Sequence, residues 1–155
     1  MMVIPVVTKK VLFDDATRFL KLDANFEGVK LKAEQGNAQA QYNLGFLYEY
    51  GFGLPEGVVI DKKEAVKWHR LAAEQGNKHA QYHLGSKYRD GEGVIQDMVY
   101  AHMWYNLAAS NGAEYAEKSR YEVAKEMTPA DISEATRLAC EFEENQRLVS
   151  GTSIH

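Results

Sequence analysis

The chain has 155 residues, 45% of them hydrophobic, with 22 acidic against 18 basic side chains and one cysteine, the profile of one modest soluble domain able to bury a core. A net charge of −4 without any long basic block argues against nucleic acid or an anionic bilayer as partner, because neutralising phosphate needs a cationic surplus. Cys140 alone permits no internal disulfide, so a disulfide framework is excluded and nothing demands an oxidising compartment.

Residues 1–13 read as an extended arm. Pro5 interrupts the apolar pairs Val3-Ile4 and Val6-Val7, and Lys9-Lys10 follow them, the reverse of a secretory leader. No stretch approaches the roughly 20 apolar residues of a membrane span, so the expected compartment is the cytoplasm. Residues 14–35 are expected to hold one or two helices with a degenerate pattern, Gly28 standing where Trp68 stands later, as suits the terminal unit of a repeat array.

The repeat itself begins with Ala33-Glu34-Gln35-Gly36-Asn37, which returns as Ala73-Glu74-Gln75-Gly76-Asn77 after 40 residues; a weaker copy starts at Ala109. The match continues through Ala40/Ala80, Gln41/Gln81, Tyr42/Tyr82, Leu44/Leu84, Gly45/Gly85, Tyr48/Tyr88, Gly51/Gly91 and Gly53/Gly93. The next step is 36 residues: Asp61, Ala65, Trp68, Leu71 and Ala72 return as Asp97, Ala101, Trp104, Leu107 and Ala108. The surplus between the two steps, Leu54-Pro55-Glu56-Gly57, falls in a connection, where added length costs little.

Each unit of the 36–112 region predicts two helices. Asn37 and Asn77 are expected to cap helices near 38–50 and 78–90, which end at Gly51 and Gly91. Ala65, Trp68 and Ala72, then Ala101, Trp104 and Ala108, recur at i, i+3, i+7 and line one face of the second helix of each pair. Asp61 with Glu64 predicts a capping box, and Gly76 a helix exit. Gly45 and Gly85 lie inside helices, where each costs about 1 kcal/mol relative to alanine; close approach of a neighbouring helix, which a Cβ would push away, is the expected compensation. The small Ala40, Ala65, Ala72, Ala80, Ala101 and Ala108 serve the same spacing, while Leu44, Leu84, Trp68, Trp104, Tyr48 and Tyr88 fill the wider layers of the core.

The 113–147 segment predicts a degenerate third unit, with a helix to about Met127, and a capping helix begun by Thr128 as N-cap and Pro129 at N1. Ile132, Ala135, Ala139 and Phe142 give that last helix an apolar face, which makes it the lid of a single repeat domain covering 1–155. It is also the acidic end: residues 1–113 carry 13 acidic and 13 basic side chains, and residues 114–147 carry nine against five. An exposed polar helix face or the steering of a basic partner are both consistent with that surplus.

The pattern Ala-x-x-x-Leu-Gly-x-x-Tyr-x-x-Gly-x-Gly, then Asp, Ala-x-x-Trp and Ala-Ala-x-x-Gly, resembles the Sel-one-like repeat (SLR), a relative of the tetratricopeptide repeat. The resemblance covers 33–116 well and the flanks weakly. It implies an all-α, right-handed α-solenoid of antiparallel helix pairs, usually an adaptor or scaffold for protein complexes, often bacterial, in which enzyme activity is seldom established. Some secreted members carry a disulfide across each helix pair, and a few were described as penicillin-binding or β-lactamase-like; this chain has no paired cysteines and no Ser-x-x-Lys on which such acylation could be hung.

In the tetratricopeptide pattern, positions 2, 5, 9 and 12 of each first helix line the concave surface. Carried over on Leu44-Gly45 and Tyr48, this implies Gln39, Tyr42, Phe46 and Glu49 from the first unit and His79, Tyr82, Ser86 and Arg89 from the second. The third unit adds Tyr115, Lys118, Glu122 and Lys125, although Arg120 and Tyr121 replace its Leu-Gly. Tyr42, Phe46 and Tyr82 would anchor a peptide while Arg89 and Lys118 meet a carboxylate; packing between repeats is the competing role for Tyr42 and Tyr82. Phe46 is matched by Ser86, an exchange that a core position does not accept without a cavity or compensation.

His79 and His83, at i, i+4, could offer two ligands, but a metal needs three or four, and Cys140, Asp90 or Glu49 would have to converge from elsewhere. His69 and His102 show no fixed acidic companion between copies, and Cys140 reads as a part-buried small hydrophobe. Gly51-Phe52-Gly53 and Gly91-Glu92-Gly93 lack the Gly-Lys-Ser/Thr of a phosphate loop. The expectation is therefore no metal, no cofactor and no catalytic residue. The partner is a protein or extended peptide, with a hydrolase or a self-assembling structural module as alternatives.

Overall fold

The computed structural model describes residues 26–51 and 54–151. The arm at 1–13, the start of the 14–35 segment and Gly53 lie outside them. Among the described residues there are seven helices: α1 (Phe26–Glu34), α2 (Ala38–Tyr50), α3 (Lys62–Glu74), α4 (Lys78–Asp90), α5 (Met98–Ser110), α6 (Tyr115–Ala124) and α7 (Pro129–Val149). The fold class is all-α, of paired helices with a C-terminal helix, and no strand occurs among the described residues. The chain forms two compact units, Met1–Gln75 and Gly76–His155.

Helix limits follow local chemistry. The Asn37 and Asn77 side chains accept the Ala40 and Ala80 amides at 2.8 and 2.9 Å, each satisfying one of the amides that a helix start leaves without a partner. Gly51 and Gly91 end α2 and α4 in the left-handed conformation, φ 78° and 69°, and donate to Leu47 O and Lys87 O. The same device recurs at the second helices: Asp61 and Asp97 accept first-turn amides with their carboxylates and donate their own amides to Tyr48 O and Tyr88 O at 2.9 Å. That bond displaces the second half of the expected capping box, because Glu64 accepts instead from the Trp68 indole N–H at 3.0 Å. In the four-residue insertion, Val58 N donates to Pro55 O and Gly57 takes φ 88°, so the extra length closes on itself as a turn.

In the first unit α2 packs on α1 and α3. Its core joins Phe26, Val29 and Ala33 to Ala40, Leu44, Leu47 and Trp68, with Tyr48 set edge-on against Phe26 at 6.1 Å. In the second unit α5 is the central helix, packed on α4, α6 and α7. Ala101, Tyr105 and Val123 form one cluster, Ala108, Ala113 and Ala116 another. Trp104 meets Phe142 of α7 edge-on at 5.4 Å, and Ala135 and Ala139 are the buried residues of that helix. The expected N-cap of α7 is in place, Asp131 N donating to Thr128 Oγ1 at 3.1 Å. Helix α6 stops at Ala124, short of Met127, where the bonds Glu126 N to Val123 O and Met127 N to Ala124 O tighten the exit.

The mid-helix glycines are buried and make the predicted close approach. A Cβ on Gly45 would stand 2.8 Å from the His69 ring and 3.1 Å from Ala65 O; on Gly85 it would stand 2.8 Å from the Tyr105 ring and 3.3 Å from Ala101 O. Each glycine thus seats both a ring and a backbone carbonyl of its partner helix. Gly85→Ala should lower stability by about 1 kcal/mol, overpacking of about 1–3 kcal/mol outweighing the roughly 1 kcal/mol of helix propensity recovered. Urea unfolding measures this, and an unchanged or higher midpoint would show that the Tyr105 ring has room to move.

Candidate functional site

Helix α2 turns Tyr42, Phe46 and Tyr50 along one line, with ring centroids 6.5 and 4.5 Å apart, and Tyr42 lies 5.7 Å from the His69 ring. Gln39, at the exposed start of this line, bonds Asn43 Oδ1 at 3.0 Å. Glu49 at its end is drawn inward. Its carboxylate, 7% exposed, meets Nε2 of the fully buried His69 at 3.3 Å. Since a carboxylate only accepts, Nε2 carries the hydrogen. His69 thus has an acidic companion in the first unit, Glu49 reaching it across 20 residues from the facing helix, while the second copy carries Arg89 and Tyr105 at these registers.

The second unit solves the same position differently. At the register of His69 stands Tyr105, and at that of Phe46 stands Ser86, whose hydroxyl pairs with the Tyr105 hydroxyl at 2.9 Å and donates to Tyr82 O at 3.2 Å. The Phe46/Ser86 exchange is thus half of a coupled change, in which a small hydroxyl partners the larger phenol. Burial raises the Tyr105 phenol above its ordinary pKa, so it stays a neutral group able to share that bond.

Here the first-helix residues of successive repeats come together. Tyr82 of α4 meets Tyr115 of α6 edge-on at 4.8 Å and tilts over Tyr105 at 5.5 Å. The Tyr115 hydroxyl is hydrogen-bonded to His79 Nδ1 at 2.7 Å, the two rings lying nearly parallel. Burial, then the neighbouring Lys78, lowers the His79 pKa; burial, then Tyr82, raises that of Tyr115. Both groups are uncharged near neutrality. Tyr115 nonetheless keeps 47% of its surface exposed.

The charges on these lines are unequal in what they can still bind. Arg89 does not stand ready for a carboxylate, as the sequence suggested. Its Nε and Nη2 already chelate Asp90 at 2.8 and 3.0 Å, which raises the guanidinium pKa and holds the Asp90 carboxyl below its ordinary value. On α6, Lys125 pairs with Glu122 at 3.2 Å and lies over the Tyr121 ring. Lys118 is exposed and has no ion-pair partner among the described residues. At the positions that depart from Leu-Gly, Arg120 donates to Asn106 Oδ1 at 2.6 Å and Tyr121 is exposed.

One further expectation changes. Cys140 is exposed on α7 instead of part-buried. Of the histidine pair at i, i+4, His79 uses its Nδ1 on Tyr115, and His83 sets its ring edge-on to Tyr82 at 5.9 Å. Gly91 and Gly93 take φ 69° and 75°, the geometry of a helix exit and tight turn. His102, set aside in the sequence for want of a fixed acidic companion, is buried. It is 6% exposed, its Nδ1 has no hydrogen-bond partner, and it occupies the register of the buried Val66, a mismatch visible only once the two second helices are overlaid.

Residues 38–77 and 78–112 each match the family model of the Sel1 repeat. A Sel1 repeat protein from Oxalobacter formigenes is similar in structure, at 34% identity and a TM-score of 0.59, over 74% of this chain and 88% of that one. A protective antigen of uropathogenic Escherichia coli strains, displaying an SLR fold, is similar at 26% identity and a TM-score of 0.74 over 95% of this chain. The chain spans 33% of that antigen's length. No curated protein matches it.

Burial, then Arg120, holds the His102 pKa below its ordinary value. The unfolded chain therefore takes up the proton first, near pH 6.5, and stability should fall as pH drops through that value and continue to fall until the folded form also protonates. His102→Val, which installs the residue found at Val66, should flatten this loss in urea midpoints taken between pH 7.5 and 5.5. A wild-type slope retained in the variant would remove His102 as its origin.

Proposed function

We propose that this chain, which belongs to the Sel1-repeat family, is a non-catalytic adaptor whose first-helix faces hold a protein or an extended peptide segment. The Sel1 and tetratricopeptide-like fold serves in general as a scaffold for protein–protein interaction. The observation that carries the reading is the aromatic set of α4 and α6, where His79, Tyr82 and Tyr115 lock one another by edge-on packing and a 2.7 Å hydrogen bond while Tyr115 stays half exposed. Rings ordered before a ligand arrives lose little entropy on binding and bury large area, the property of anchor residues at interfaces.

Within the first unit, the α2 line of Tyr42 and Phe46, with Gln39 at its start, is a candidate surface of its own, whereas Glu49 serves His69 there. A cytoplasmic setting is part of the same proposal, since an exposed single thiol such as Cys140 stays reduced there. No helix among the described residues is long and apolar enough to cross a membrane.

The test is affinity capture from host extract with the intact chain beside a Tyr42→Ala, Tyr82→Ala double variant. We expect one specific partner to be lost, with affinity falling roughly tenfold or more, as on removal of aromatic anchors, at unchanged far-ultraviolet circular dichroism. Equal recovery by both proteins would place the binding elsewhere.

A further inference from the structure

In the second unit the register of the repeat sets an aromatic platform beside the exposed Lys118. The position filled by Tyr42 and Tyr82 in the first two repeats is filled by Lys118 in the third, one helical turn from Tyr115. Among the described residues, Arg89 and Lys125 on these lines are paired locally, with Asp90 and Glu122, whereas the ammonium of Lys118 is exposed and has no ion-pair partner. From this complementarity we infer that the surface takes an extended peptide segment with an apolar side chain on Tyr82 and Tyr115 and an acidic side chain, two residues away, on Lys118.

The spacing comes from elementary geometry. Tyr115 and Lys118 lie on one helix face about 5–6 Å apart at their Cβ atoms. In an extended chain, side chains on one side recur every two residues, about 6.6 Å, which matches that interval, whereas adjacent residues point to opposite sides. An apolar-x-acidic motif therefore satisfies both contacts without bending the peptide. The platform is rigid enough to select for it: Tyr82 is held between Tyr105 and Tyr115, and the Tyr115 hydroxyl is tied to His79. A basic segment would bring like charge to Lys118, which gives discrimination as well as attraction.

This inference rests on the proposed binding role and sharpens it to a class of segment. Its test uses the full chain and short fluorescein-labelled peptides, Gly/Ser-flanked, containing Leu-Ser-Glu, Leu-Ser-Lys or Gly-Ser-Glu, titrated by fluorescence anisotropy. The Leu-Ser-Glu peptide should bind at least tenfold more tightly than either comparison peptide. Lys118→Glu, at an exposed position that leaves folding intact, should reverse the order of the two leucine peptides, and Tyr115→Ala should abolish the preference for leucine over glycine. Equal binding of the acidic and basic peptides, an order unchanged by Lys118→Glu, or no saturable binding at all would overturn the inference. If capture of a protein partner still depends on Tyr42 and Tyr82 in that case, the binding role stands and only the segment chemistry falls.

Discussion

A ring of one helix lies against the backbone of its partner at the one residue where that partner has no side chain. At Gly45 the ring is His69 and at Gly85 it is Tyr105, each only 2.8 Å from where a Cβ would be. This contact draws the paired helices close enough for Ala65 O and Ala101 O to press on the glycine as well. The alanines at 40, 65, 72, 80, 101 and 108 are buried around the same spacing, and the bulky Trp68 and Trp104 close the core at the wider levels.

The polar end of that ring then has to be satisfied inside the protein, because an unpaired buried hydrogen-bonding group is costly. The two repeats answer with different chemistry. The first supplies a carboxylate, Glu49, to an imidazole; the second supplies a serine hydroxyl, Ser86, to a phenol. The Ser86 solution frees the residue at the Glu49 register, Arg89, which turns outward to Asp90. Core identity and surface chemistry are thereby linked: the choice of ring under the glycine decides whether the first-helix residue at the Glu49 register is drawn inward or pairs at the surface.

Tyr105 also supports what lies above it. Tyr82 leans on its ring, Tyr115 packs on Tyr82, and His79 fastens the Tyr115 hydroxyl. A surface assembled in this way is ordered by the core beneath it. Its aromatic rings are already placed, so a partner of the kind proposed would spend none of its contact energy in ordering them.

Much of the fold was legible in the residues. The glycine exits, the asparagine and aspartate caps and the period of 36 to 40 residues are set by hydrogen bonds spanning a few positions, and the amino acids that suit those bonds are few. The need for contact at Gly45 and Gly85 was legible too, since nothing else offsets their helix cost. What filled that contact was not. The partners His69 with Glu49, Tyr105 with Ser86 and His79 with Tyr115 are 20, 19 and 36 residues apart, and only the packing of helices brings them within bonding distance. Local choices also depended on it: Glu64 serves the Trp68 indole because the Asp61 amide is taken by Tyr48 O, and Cys140 is exposed because α7 presents Ala135 and Ala139 to the core. The sequence alone therefore determined the helices, their ends and their repetition, which are short-range matters. The tertiary structure decided which polar group answers which, because that depends on distances between helices that no local pattern encodes.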